Sequence, residues 1–105
     1  MKTRDIKTID VLTKCWFDKI NGNTYFAQRI VINRGKKNEK TIINRFQYGY
    51  GSFDHFAKQC VMRELNLKTD LNKNYTLCGY NGKIRFYNEV IKNCKKRELV
   101  HIDDY

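Results

Sequence analysis

Apolar and polar residues alternate along the first half of the chain with the period of strands, and in the middle with the period of a helix. In TIDVLTKCWF, residues 8–17, Ile9, Val11, Thr13, Cys15 and Phe17 interleave with Asp10, Leu12, Lys14 and Trp16. That two-residue repeat is the mark of a half-buried strand. NTYFAQRIVIN, residues 23–33, alternates again, with Phe26, Ile30 and Ile32 in one set and Tyr25, Ala27, Arg29 and Val31 in the other. Between them lies Asn21-Gly22, the strongest short hairpin signal, because a type I′ turn needs positive φ at both central residues. A two-residue turn there sets Phe17 opposite Phe26, Thr13 opposite Ile30 and Val11 opposite Ile32. On the other face Trp16 meets Ala27, Lys14 meets Arg29, Leu12 meets Val31 and Asp18 meets Tyr25. One face is thereby apolar and the other mixes rings with cations, and this sorting supports the hairpin.

KTIINRFQ, residues 40–47, predicts a third strand after the polar loop Arg34-Gly35-Lys36-Lys37-Asn38, with Ile42 and Phe46 inward and Arg45 outward beside Arg29. YGYGS ends it, its glycines permitting a sharp bend. A helix then opens at Ser52, a favourable N-cap, with Asp54 in the first turn to suit the helix dipole. Phe53, Phe56, Ala57, Cys60, Val61 and Leu65 fall on one stripe, with Lys58, Gln59 and Arg63 opposite. The stripe is expected to cover the apolar face of the hairpin and leave the Trp16 face bare.

The last third is less sharply patterned. Thr69 or Asp70 opens a short helix, or residues 75–78 form a strand; both stay open. Asn81-Gly82 marks a turn, and KIRFYNEVI, residues 83–91, reads as a strand that completes the sheet. KNCKKRELVHIDDY is basic and then acidic, and residues 95–105 read as a partly ordered tail. With 105 residues and no internal repeat, the chain is read as one domain. The expected fold is α+β: a small antiparallel sheet, made of a three-stranded N-terminal meander and a C-terminal strand, packed on one amphipathic helix.

Charge changes the picture more than bulk composition does. The chain carries 21 bases and 11 acids, a net charge of +10, and such an excess raises affinity for polyanions by counterion release. Lysine, asparagine, isoleucine and tyrosine are all abundant, which an AT-rich genome imposes on any protein. The distribution is nevertheless uneven: residues 1–50 hold 11 bases and 4 acids, residues 51–105 hold 10 and 7. MKTRDIKTID has no apolar core of the kind a signal peptide needs, and no apolar run approaches the length of a membrane helix. A cytoplasmic setting, in a host cell, is therefore expected, with no membrane partner.

The candidate chemistry is thin. Without a secretion signal, reduced, buried thiols are expected at Cys15, Cys60, Cys78 and Cys94, and their lack of a close Cys-Cys spacing argues against a metal site. The one zinc set left open is Cys60, Cys78 and Cys94 with His55 or His101. Cys15 has no histidine nearby in sequence, Asp54-His55 at a helix start suits capping, and no phosphate motif accompanies Tyr48 or Tyr50 as a nucleophile. No catalytic residue and no cofactor is expected. The remaining constellation is Lys14, Trp16, Tyr25 and Arg29 on one strand face, extended by Arg45 and the Lys36-Lys37 loop. Rings stack on bases and cations hold phosphates. The competing possibility is that Trp16 and Tyr25 pack under the C-terminal segment.

WFDKINGNTYFAQRI at 16–30, followed by FQYGYG at 46–51, resembles a set of short uncharacterised proteins of phages and mobile elements, which share an NGNTY hairpin and a YGYG ahead of a helix. The resemblance covers about the first two thirds of the chain. It implies phage or prophage origin and carries no activity to transfer. Three antiparallel strands followed by a packed helix are also similar in outline to the DNA-binding domains of some phage integrases and plant transcription factors, whose sheet face away from the helix enters the major groove. The expected function is nucleic-acid binding, to DNA or RNA, through the open aromatic and basic face. The alternative is a non-enzymatic interaction module that modulates or inhibits a host or defence complex, with a protein or ribonucleoprotein partner.

Overall fold

The computed structural model describes residues 1–49, 52–74 and 76–104. Strands β1 (Thr8–Asp18), β2 (Asn23–Ile32) and β3 (Lys40–Tyr48) form the expected antiparallel meander. Helix α1 (Phe53–Glu64) follows, then β4 (Cys78–Gly79), β5 (Ile84–Ile91) and a short α2 (Lys96–Val100). The strand order is β3-β2-β1-β5-β4. The α+β class stands, but the sheet is mixed rather than antiparallel. β5 runs parallel to β1, from Thr8 beside Arg85 to Lys14 beside Ile91, and β4 runs parallel to β5. The chain crosses the sheet through α1 between β3 and β5, and this connection is long enough for the crossover that a parallel strand requires. Alternation in KIRFYNEVI marks a strand but carries no direction.

The hairpin is offset from the expected pairing. Trp16 lies opposite Tyr25, Cys15 opposite Phe26 and Asp18 opposite Asn23, so the loop is Lys19–Gly22, four residues long. Asp18 explains the extra length. Its carboxylate accepts the N–H groups of Ile20 (3.0 Å) and Asn21 (3.3 Å) and the Asn21 amide (2.8 Å), while Gly22 N–H bonds the Asp18 carbonyl at 2.8 Å. Only Gly22 of the Asn-Gly pair takes positive φ (69°), and a type I′ turn needs both. The offset is two residues, so every side chain keeps its face, because strand faces alternate with period two. Phe17, expected in the core, now faces Thr24 next to the turn and is 51% exposed.

Helix α1 begins as its sequence dictates: Ser52 Oγ accepts the His55 N–H at 3.1 Å. Ala57, Cys60 and Val61 pack on Ile9, Val11, Ile30, Ile32, Ile42 and Phe86. Phe26 closes this core, its ring 4.9 Å from Phe53 and 5.0 Å from Phe56. Lys58, expected on the solvent side, is buried instead; its ammonium donates to the Cys78 carbonyl at 3.3 Å and lies 4.8 Å from the Phe86 ring centre. A buried polar line joins three strands to the helix start. Gln28 Nε2 donates to Thr13 Oγ1 and to the Phe53 carbonyl, each at 3.0 Å. Thr13 Oγ1 donates to Asn88 Oδ1 (2.8 Å), and Asn88 Nδ2 donates to Asp54 Oδ1 (2.7 Å).

The opposite face of the sheet is not bare. Residues 95–105, expected as a tail, include α2 and a 3-10 turn (Ile102–Asp104), which set fully buried Leu99 and Ile102 on Leu12 and Ala27. The YGYG bend and the possible strand at 75–78 fall partly on Tyr50, Gly51 and Tyr75, outside the described residues; Gly49 takes φ 126° and donates its N–H to Thr24. Among the described residues no helix is long and apolar enough to cross a membrane.

Candidate functional site

The hairpin's two strands bring Trp16 and Tyr25 side by side, and β3 adds two more rings. Tyr25 stacks on Trp16 at 5.6 Å between centres and on Phe46 at 4.9 Å, and meets Tyr48 edge-on at 5.5 Å. Phe46 reaches this face through a β-bulge. Gln47 pairs with Phe26 but Asn44 with Gln28, so Arg45 and Phe46 together face Ala27. An extra residue re-aims the side chains that follow it, and Phe46, expected inward beside Ile42, is turned to the Trp16 side. The surface is open at its edge: Phe46 is 36% and Tyr48 71% exposed, while Trp16 and Tyr25 are half-buried against α2.

The cations expected around these rings are differently placed. Lys14 is only 4% exposed, with its ammonium 3.7 Å from the Glu98 carboxylate of α2. Arg45 is clamped to the C-terminal segment, donating to the Val100 carbonyl at 3.1 Å and to both carboxylate oxygens of Asp103. Arg29 is half-buried against a cavity shared with Asp10, Arg34 and Glu89. Lys36 and Lys37 are exposed in the loop after β2. Eight residues of strand separate that loop from Tyr25, roughly 25 Å at about 3.3 Å per residue, so they do not join the rings.

Another cation takes their place. Lys96, on α2, puts its ammonium 5.9 Å from the Trp16 ring centre, within the range of cation–π attraction. Lys95 and Arg97 flank it and are exposed. The basic run Lys92–Arg97 was the sequence signal for these residues, but nothing in it indicates which strand face the segment covers. Phe46 and Tyr48 had a plainer signal, an aromatic at every second position, obscured by the bulge.

Acid–base chemistry finds little here. Glu98 is held below the usual carboxylate range, first by the Lys95 N–H and then by Lys14, and Asp103 by its hydrogen bonds from Arg45. Burial pushes the Cys15, Cys78 and Cys94 thiols up, away from the thiolate form. Cys60 and Cys78 lie in the α1-side core and Cys94 under α2, which separates the one zinc set that spacing left open. Among the described residues no group of three or more histidine, cysteine or acidic side chains is placed to hold a metal ion.

No protein-family model matches the chain, and neither a curated protein nor a solved structure matches it.

Proposed function

We propose that this protein is a small basic nucleic-acid-binding protein of phage type, which stacks unpaired bases on Trp16, Tyr25, Phe46 and Tyr48 and holds the adjoining phosphates with the cations of α2. The observation that carries the reading is the four-ring surface with Lys96 against Trp16, in a chain of net charge +10. Base–aromatic stacking is worth about 1–3 kcal/mol per base and tolerates any sequence. The resemblance to phage and mobile-element proteins agrees with such a role but adds no residue to it.

The chain contains one tryptophan, so its fluorescence reports on this surface alone. Single-stranded oligonucleotides are expected to quench it, with affinity falling as salt rises by about 0.7 logarithmic units per phosphate contact. Replacing Lys95 and Lys96 by Ala is expected to reduce that slope by roughly one to two. Oligonucleotides that leave the fluorescence unchanged at low salt overturn the reading.

One observation favours a second reading, an interaction module aimed at a host or defence complex. Ile20 at the hairpin tip is 94% exposed and Phe17 beside it 51%. Phosphates have no use for such side chains, whereas apolar anchors at an exposed tip suit a protein groove. On this reading Ile20→Asp is expected to weaken capture of a protein partner in a pull-down and to leave oligonucleotide quenching intact.

A further inference from the structure

Several cavities at the surface of the described residues differ in the charge of their walls. The one at the β2–β3 loop sets Lys40 beside Asp5 and Glu39, and the one on the α2 face sets Arg29 and Arg34 beside Asp10 and Glu89. A third, of about 430 Å³, is lined by Arg4, Lys7 and Lys83 together with Thr3, Thr69 and Leu77. No acid lines it among the described residues, and none of its three cations forms an ion pair there. Its volume falls in the range of small-ligand pockets.

The backbone that carries the three cations is fixed. Lys7 N–H donates to Asn33 Oδ1 at 2.7 Å, and the Lys7 carbonyl accepts from Arg85 N–H at 3.0 Å. Asn33 is fully buried and donates its amide to the Asp5 carbonyl at 2.9 Å, which anchors the 3-10 turn (Thr3–Asp5) bearing Arg4. Lys7 Nζ turns back to the Arg4 carbonyl at 3.3 Å. Across the cavity, Lys83 and Ile84 donate their N–H groups to the carbonyls of Thr76 (3.1 Å) and Leu77 (2.7 Å). Walls ordered in advance spare a ligand the cost of ordering them.

We propose that this cavity binds a phosphate monoester carried on an apolar body, a nucleotide in chemical class. Three cations with no acid among them call for more than one negative charge. A phosphate monoester supplies about 1.5 to 2 at neutral pH, with three acceptor oxygens, where a carboxylate or an internal phosphodiester supplies one. Thr3 and Thr69 hydroxyls donate to the remaining oxygens. Leu77 and the aliphatic stems of the cations receive the body. The same group occurs on a free nucleotide and on the 5′ end of a strand. The site stands apart from the aromatic surface and does not rest on it.

The test titrates the full chain with adenosine monophosphate and with adenosine, following backbone amides by NMR. The monophosphate is expected to shift the amides of Lys7, Thr69, Leu77 and Ile84 saturably at millimolar concentration or below, and adenosine to leave them in place. Arg4→Glu and Lys83→Glu are each expected to weaken binding at least about tenfold, since each removes a charge-assisted contact, with the melting temperature unchanged because both side chains are exposed. Trp16→Ala is expected to change nothing, so failure of the aromatic surface leaves this result readable. A preference for a 5′-phosphorylated over a 5′-hydroxyl oligonucleotide assigns the strand end as the source; no preference, with the mononucleotide bound, assigns the free nucleotide. Unmoved amides, or charge-reversed variants that bind as well as the wild type, overturn the proposal.

Discussion

The two faces of this sheet are built on different principles although one alternating sequence makes both. Under α1, β-branched side chains from four strands meet a twelve-residue helix in an aliphatic core, with a line of buried amides and hydroxyls at one end. Under α2, a five-residue helix and a 3-10 turn supply two buried aliphatics, and ion pairs from Glu98 and Asp103 add to their hold on the sheet. Lys14–Glu98, Arg34–Asp10 and Arg45–Asp103 all lie on this side. Burial of apolar area does not depend on the charge state of side chains, whereas ion pairs open to solvent weaken with added salt and with protonation of the acid. The α1 face therefore acts as foundation, and the α2 face is the side whose cover responds to conditions and whose uncovered edge is free to act.

The largest test of that contrast lies in the hairpin register. Phe26→Ala removes a ring wedged between Phe53 and Phe56 and is expected to cost about 3–5 kcal/mol, close to the whole stability of a small domain. Phe17→Ala, at a half-exposed position beyond the helix, is expected to cost less than about 1 kcal/mol. Denaturant melts of the two variants measure both values. Equal losses restore the two-residue turn, with Phe17 facing Phe26.

Next in size is Ile102→Ala. Full burial of Ile102 predicts a loss of about 2–4 kcal/mol, which for a domain near 100 residues lowers the melting temperature by roughly 4–8 °C for each kcal/mol. A loss under about 1 kcal/mol makes the C-terminal segment a detachable cover and the sheet face beneath it the bare surface that the sequence predicts.

Function at the open edge is the third measure. Trp16→Ala is expected to weaken single-strand binding by roughly 1–3 kcal/mol. It also costs stability, because Trp16 packs against the α2-side core, but less than Phe26→Ala does. A variant that unfolds as badly as Phe26→Ala makes Trp16 a core residue and removes the stacking surface.

What the sequence made legible follows from how local each determinant is. The partition of side chains between faces needs only period two and survives a register error, which is why Trp16 and Tyr25 were correctly set apart from Phe26 and Ile30. Ser52 and the helix stripe are equally local. The turn length is not legible in the Asn-Gly pair, because Asp18, which fixes it, lies outside that pair. The facing of Phe46 departs from strict alternation because a bulge one residue long reverses it and leaves no mark in composition. The parallel direction of β5, the burial of Lys58 and the docking of α2 depend on contacts across tens of residues, and no spacing rule reaches them. The site shared this limit: its central rings were readable, whereas its neighbouring cation, Lys96, came from a stretch that resembles a solvated tail.

The smallest effect concerns the ion pairs themselves. Glu98 faces the Lys95 N–H, Lys14, Arg97 and Lys95, and Asp103 faces Arg45 and His101; both carboxyls are held below their ordinary values. A carboxyl lowered in the folded state stabilises the fold above its unfolded pKa, near pH 4, and that contribution disappears as pH falls through the lower folded value. The α2 cover is therefore expected to loosen on acidification below about pH 4, ahead of the aliphatic core under α1. Trp16 fluorescence follows the cover, and the Ile30 methyl signal follows the core. Glu98→Gln with Asp103→Asn deletes both titrating groups, so the fluorescence change between neutral pH and the acid limb is expected to flatten in the double variant. A double variant with the wild-type acid transition assigns that transition to other groups, and leaves the two faces alike in how they are held.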